Sequence, residues 1–136
     1  MSRLGFLLIT VCIAFSAVSL NAQRGDPWDY SHGGNWDSSW NNRPNPSTGA
    51  CFYTTANYTG NHFCVRRGQR LDRLPGNFGD NLSSIRLFGG SRVVIFNDRN
   101  FSGGSQEVRT NVRDLRNLRF RDGHTWNNRV SSVIVR

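Results

Sequence analysis

The residues of this 136-residue chain best suited to chemistry are two pairs of adjacent serines set in the same pattern. Asp80-Asn81-Leu82-Ser83-Ser84-Ile85 and Asn128-Arg129-Val130-Ser131-Ser132-Val133 both read Asx, two residues, Ser-Ser, apolar. Each pair stands where a loop enters an apolar strand. The hydroxyls there can tie the loop backbone down, or they can ligate a hard cation, which takes oxygen from side chains, carbonyls and water. Catalysis finds little to work with. The histidines are His32, His62 and His124, and Glu107 is the single glutamate. No H-E-x-x-H, G-x-S-x-G or paired-carboxylate pattern occurs, so no nucleophile or acid/base pair has partners to hold it. His62 falls inside a strand-like run, where a packed or edge histidine is expected. No catalytic residue is assigned, and the chain is not expected to be an enzyme.

The formal net charge is +8, and every one of the basic residues is Arg. Positive charge attracts nucleic acid, anionic lipid or acidic polymers, and describes a surface rather than a fold. Arg66, Arg67, Arg70 and Arg73 make one cluster; Arg113, Arg116, Arg119 and Arg121 make another. Nucleic-acid binding would interleave such residues with exposed aromatics. The aromatics here have other duties, so a solvated face is expected, with an acidic or cell-surface polymer as the alternative partner.

Those duties lie in the elements that must position the serines. Short apolar runs alternate with Gly, Asn and Asp from residue 51 onward: Cys51–Tyr53, His62–Val65, Ile85–Leu87, Arg92–Phe96 and Val130–Val135. Several alternate with period two, the mark of half-buried strands, and their number and spacing predict a sandwich or barrel. Residues 111–119 are the best helix candidate, as one short turn. A second repeated element precedes each serine loop. Tyr53, Tyr58 and Gly60 are matched by Phe96, Phe101 and Gly103, both reading aromatic, four residues, aromatic, one residue, Gly. Aromatics five apart meet only if the hairpin between them folds back over the sheet, and the Gly then takes a positive φ that a side chain would penalise. From this Gly to the first Ser is 23 positions in copy one (60 to 83) and 28 in copy two (103 to 131), so copy two carries the longer loop.

The N-terminus reads as export. Arg3 is followed by a mostly apolar run over residues 4–20 and by small residues ending at Ala22, the layout of a signal peptide over 1–22. Secretion, extracellular or periplasmic, is expected, with no transmembrane segment after processing. Cleavage removes Cys12 and leaves Cys51 and Cys64, an even pair that suggests one disulfide in an oxidising compartment. Residues 23–49 are rich in Gly, Asn, Ser, Pro and Asp with scattered Trp28, Trp36 and Trp40, and read as a disordered linker or an arm that binds glycan or cell wall. One domain over 50–136 remains.

The doubled hairpin and doubled serine loop resemble the βγ-crystallin family. That resemblance implies an all-β sandwich of two Greek-key motifs (about 50–90 and 91–136) with about eight strands. In microbial members such loops form a paired calcium site. The resemblance places Asn81 (carbonyl), Ser83 (hydroxyl) and a cross-loop side chain from Asn127 at one ion, and Arg129 (carbonyl) and Ser131 (hydroxyl) at the other. Copy two has the full pattern from Asn127 to Ser132; copy one has Gly79 where the first Asn or Asp belongs. The copy-two ion should therefore lack a cross-loop side chain and be the weaker. Few formal charges serve either site, so affinity typical of extracellular modules is expected, roughly 10⁻⁴–10⁻³ M. The stretch from Ala50 to Val65 is also similar to secreted microbial metalloproteinase inhibitors of crystallin-like fold, which implies an extracellular protease as partner. On length alone, residues 104–126 are the candidate reactive segment.

Overall fold

The computed structural model describes residues 41, 42 and 44–136. The expected signal peptide and residues 23–40 of the expected linker, with Trp28, Trp36 and Trp40, lie outside the described residues. Seven strands follow in order: β1 (Gly49–Thr55), β2 (Thr59–Arg66), β3 (Arg70–Leu71), β4 (Ser84–Phe88), β5 (Val93–Phe96), β6 (Ser105–Val108) and β7 (Ser132–Val135). They form two antiparallel sheets, ordered β2-β1-β4 and β3-β7-β5-β6. The eighth expected strand is reduced to one bridge, in which Ile85 and Val112 exchange both backbone hydrogen bonds at 2.9 Å. The two motifs are thus interlocked. β3 of copy one joins the copy-two sheet beside β7, and Val112 of copy two joins the copy-one sheet beside β4.

Alternation along the strands explains the packing. Phe52, Phe63, Val65 and Ile85 of the first sheet are fully buried and meet Val93, Ile95, Val133 and Val135 of the second. Phe52 and Phe63 stand opposite one another in the β1–β2 register and stack with ring centroids 4.9 Å apart. β1 is the central strand of its sheet and is buried on both faces, which is why it reads as a continuous apolar run rather than a clean alternation. Its outer residues Cys51 and Tyr53, with Cys64, form a second small cluster against which Tyr58 and Phe88 pack. Residues before 50 also pack on this sheet: Pro46 is buried, and Asn41 Oδ1 accepts from the His62 N–H on β2 at 2.9 Å.

Cys51 and Cys64 are directly opposed in register and form a disulfide with Cα atoms 4.0 Å apart. It closes a loop of 13 positions, for which chain entropy gives about 3 kcal/mol. The Cys51→Ser, Cys64→Ser double variant is expected to lose about that much stability in urea unfolding. A loss below about 1 kcal/mol would show that β1–β2 pairing needs no brace.

The segment expected to hold a helical turn does so only over Leu115–Asn117, a 3-10 turn. Asp114 caps it by accepting from the Arg116 N–H, and Leu118 returns to extended geometry, so the turn cannot propagate.

Candidate functional site: the paired serine loops

The repeat is realised atom for atom in backbone geometry. In each hairpin the pair before the fold-back is left-handed: Asn57 and Tyr58 at φ 59° and 58°, Asn100 and Phe101 at 58° and 56°. Gly60 and Gly103 follow at φ 80° and 74°. A Cβ on Gly60 would lie 2.5 Å from Thr54 Oγ1, and one on Gly103 2.2 Å from Asn97 Oδ1, so both the φ and the space demand glycine. The fold-back brings Tyr53 and Tyr58 together edge-on at 5.9 Å, and Phe96 and Phe101 at 5.8 Å.

The second serine of each pair ties this hairpin down. Ser84 Oγ donates to the Thr55 carbonyl at 2.7 Å and accepts from the Tyr58 N–H at 3.1 Å. Ser132 Oγ does the same with the Asp98 carbonyl at 2.6 Å and the Phe101 N–H at 3.1 Å. Both serines are fully buried. One hydroxyl thus satisfies two groups of a hairpin some thirty positions away in each copy, which leaves these two serines fully engaged in structure.

The first serine of each pair faces the other loop. The loops clasp reciprocally: the Asp80 N–H donates to the Val130 carbonyl at 3.0 Å, and the Asn128 N–H to the Leu82 carbonyl at 2.9 Å. Asp80 and Asn128, at equivalent positions, are left-handed at φ 55° and 56°, a conformation Asn and Asp tolerate better than other side chains. Around Ser83 there is a cavity of about 210 Å³ lined by Thr54, Thr55, Ala56, Ser83, Arg116 and Asn127. Asn127 Oδ1 is buried and accepts no hydrogen bond, the single such side-chain atom among the described residues. An orphaned buried acceptor costs about 1–3 kcal/mol, so its retention beside a hydroxyl calls for a donor or a cation. Asn81 does not line this cavity. It lines a neighbouring one of about 70 Å³ with Thr54, Asn61, Asn77 and Phe78.

Around Ser131 a side chain approaches from the opposite loop, at the position after Gly79. Ser131 Oγ lies 2.9 Å from both Asp80 Oδ1 and the Asn97 carbonyl. Gly79 contributes no side chain, as its identity requires, but its neighbour Asp80 reaches across in its place. Arg129 is exposed and its N–H donates to the Trp126 carbonyl at 3.2 Å. Chemically, both loops gather hydroxyl, amide or carbonyl oxygens suited to a hard cation, and the Ser131 loop alone adds a carboxylate.

Sequence reasoning missed a second structural equivalence. Phe78 and Trp126, one position before Gly79 and Asn127, are both buried under the loops. The four positions from Leu74 to Phe78 become eleven from Leu115 to Trp126, and the surplus is a small hairpin. Its base is closed by Trp126 N–H to Leu118 carbonyl at 2.9 Å and Phe120 N–H to His124 carbonyl at 2.6 Å. Residues 121–124 at its tip are exposed.

Parts of the arginine clusters are structural. Arg67 donates to the Gly89 carbonyl and to Ser91 Oγ, and Arg70 lies 5.6 Å over the Phe101 ring. Arg116 grips Asp114 through Nε and Nη2 at 2.7–3.0 Å, and this hydrogen bonding holds the Asp114 carboxyl below its ordinary value. His62 stacks on Tyr53 at 5.1 Å, and its burial lowers its pKa, as befits a packed histidine.

Two interlocked Greek keys joined through paired serine loops define a βγ-crystallin-type domain. Solved structures agree. A βγ-crystallin domain from Flavobacterium johnsoniae matches with TM-score 0.52 and 26% identity, over 64% of this chain and 92% of that one. A structure described under the evolution of the eye lens βγ-crystallin domain fold matches with TM-score 0.55 and 25% identity, over 69% and 91%. The βγ-crystallin domain of Abundant Perithecial Protein from Neurospora crassa, in its Ca2+-bound form, matches with TM-score 0.52 and 22% identity, over 68% and 93%. A model of peptidase inhibitor family I36 matches residues 45–108, from just before β1 to the end of β6. The chain is therefore similar both to βγ-crystallins and to crystallin-like peptidase inhibitors. Comparison with curated proteins finds no match. Among the described residues no helix is long and apolar enough to cross a membrane.

Proposed function

We propose that this chain is an exported, non-enzymatic βγ-crystallin-type module that takes calcium in its paired serine loops. One observation carries the reading: Asp80 reaches from one loop to within 2.9 Å of Ser131 Oγ on the other, so that a carboxylate, a hydroxyl and the Asn97 carbonyl converge there. Ser83, Asn127 and the Asn81 carbonyl would hold one ion; Ser131 and the Arg129 carbonyl, now joined by Asp80, would hold the other. Bound calcium would cross-link the two motifs and stabilise the fold by mass action. Calcium titrated calorimetrically into the purified chain is expected to bind in the range of roughly 10⁻⁴–10⁻³ M and to raise Tm. Neither heat nor a thermal shift at 10 mM calcium, a concentration about tenfold above that range, would sink the proposal.

A second reading is favoured by the family match over residues 45–108. In it the disulfide-braced sheet is a rigid frame that presents a loop to an extracellular peptidase. The matched stretch ends before the 118–126 hairpin, so a contact shared with that family would come from the first motif or the β5–β6 hairpin. A panel of metallo- and serine peptidases assayed with micromolar protein decides it: slowed hydrolysis supports the reading, and unchanged rates throughout dismiss it.

A further inference from the structure

We infer that the two loops take calcium in a fixed order, the Ser131 loop first, because Asp80 supplies charge there while Arg116 withholds the Ser83 loop. The inference rests on the calcium reading and adds to it the residues that set the order. The family pattern alone ranks the sites the other way, since Gly79 leaves the Ser131 loop without its usual cross-loop side chain.

Two independent observations reverse the ranking. Asp80 Oδ1 stands 2.9 Å from Ser131 Oγ, on a backbone fixed at φ 55° and clasped to the Val130 carbonyl. It is the carboxylate best placed for either loop, and ligand charge is a main determinant of affinity for a hard cation. At the other loop, Arg116 lines the cavity with Ser83 and Asn127. Its guanidinium is paired with Asp114 at 2.7 and 2.9–3.0 Å. A divalent ion entering that cavity meets only neutral donors and a cation at the wall. Asp114 offsets the repulsion in part, but its oxygens are engaged by Arg116 and are not free to ligate.

The test is calorimetric stoichiometry on the full exported chain, with calcium alone as the probe. Wild type should bind one ion in the accessible range. Asp80→Asn, which keeps the left-handed backbone available, should weaken that ion about tenfold. Arg116→Gln should leave it intact and add a second ion, with a further rise in Tm at saturating calcium. Arg116→Gln releases Asp114, so the Asp114→Asn, Arg116→Gln double variant is needed; it should keep the second ion. Two equal ions in wild type, or one ion in Arg116→Gln, overturn the order while leaving the calcium reading standing. A second ion that vanishes in the double variant also overturns it, by assigning the gain to free Asp114. No binding in any of the four proteins removes both this inference and the function it rests on.

Discussion

Trp126→Ala should destabilise the domain by about 3–5 kcal/mol, the usual cost of emptying a fully buried aromatic site. Trp126 is the largest fully buried side chain among the described residues. Three features make its cavity hard to close. Its ring meets Phe120 edge-on at 5.0 Å, its Nε1–H donates to Gln106 Oε1 at 2.6 Å, and its backbone closes the base of the 118–126 hairpin. Removing the indole leaves the Gln106 carbonyl without its donor. It also leaves Phe120 without the surface it rests on. Phe120 also packs closely on Gly104, where an added Cβ would lie 1.8 Å from its Cζ, so moving into the vacated site would strip that contact. Small domains hold only about 5–15 kcal/mol in total, so the variant should be near the edge of folding at 37 °C. Urea unfolding measures the loss. A change below about 1 kcal/mol would mean that the copy-two hairpin is appended to the core rather than built on it.

The fold was legible in sequence because its two signatures are backbone requirements. Glycine at 60 and 103 answers a left-handed turn with no room for a Cβ, and Ser84 and Ser132 answer two backbone groups each. Such demands fix residue types at fixed spacing, and duplication shows them twice. What went unread had no such constraint. β3 is two residues long, too short to show any period, and β6 buries only Val108 of Ser-Gln-Glu-Val. The eighth strand shrinks to Val112 because Arg113 and Asp114, which follow it and precede the 3-10 turn, are already committed, Arg113 through its carbonyl to the Asn57 N–H at 2.7 Å and Asp114 as the cap of the turn. The candidate site was legible by position but not by direction. Pattern matching puts the cross-loop side chain at the first position of the loop, where copy one has Gly79. Which neighbour reaches across depends on backbone conformation, and only the left-handed φ at Asp80 together with its 2.9 Å approach to Ser131 reveals the substitute.

The adjacent serines of copy two should respond to alanine in opposite ways, and this separates the fold from the ion. Ser132→Ala removes one hydroxyl from a fully buried position and strands two groups, the Asp98 carbonyl and the Phe101 N–H. Each buried unpartnered group costs about 1–3 kcal/mol, so a loss of about 2–4 kcal/mol is expected, with the Phe96–Phe101 contact loosened as the hairpin lifts. Calcium affinity per folded molecule should change little if the loop itself survives. Ser131→Ala removes a hydroxyl whose two neighbours, Asp80 Oδ1 and the Asn97 carbonyl, are both acceptors, and a single proton serves only one of them at a time. Asp80 is exposed and water can replace the serine there, so the stability loss without calcium should stay near about 1 kcal/mol. The Tm gain on adding calcium, by contrast, should shrink, because on the proposed reading the hydroxyl would ligate the first ion. Thermal unfolding of both variants with calcium and with chelator gives the four numbers required. If Ser132→Ala abolishes the calcium response while Ser131→Ala preserves it, the two serines have been assigned the wrong way round. If both variants lose stability alike and keep the calcium response, the Ser131 loop is a structural clasp and nothing more.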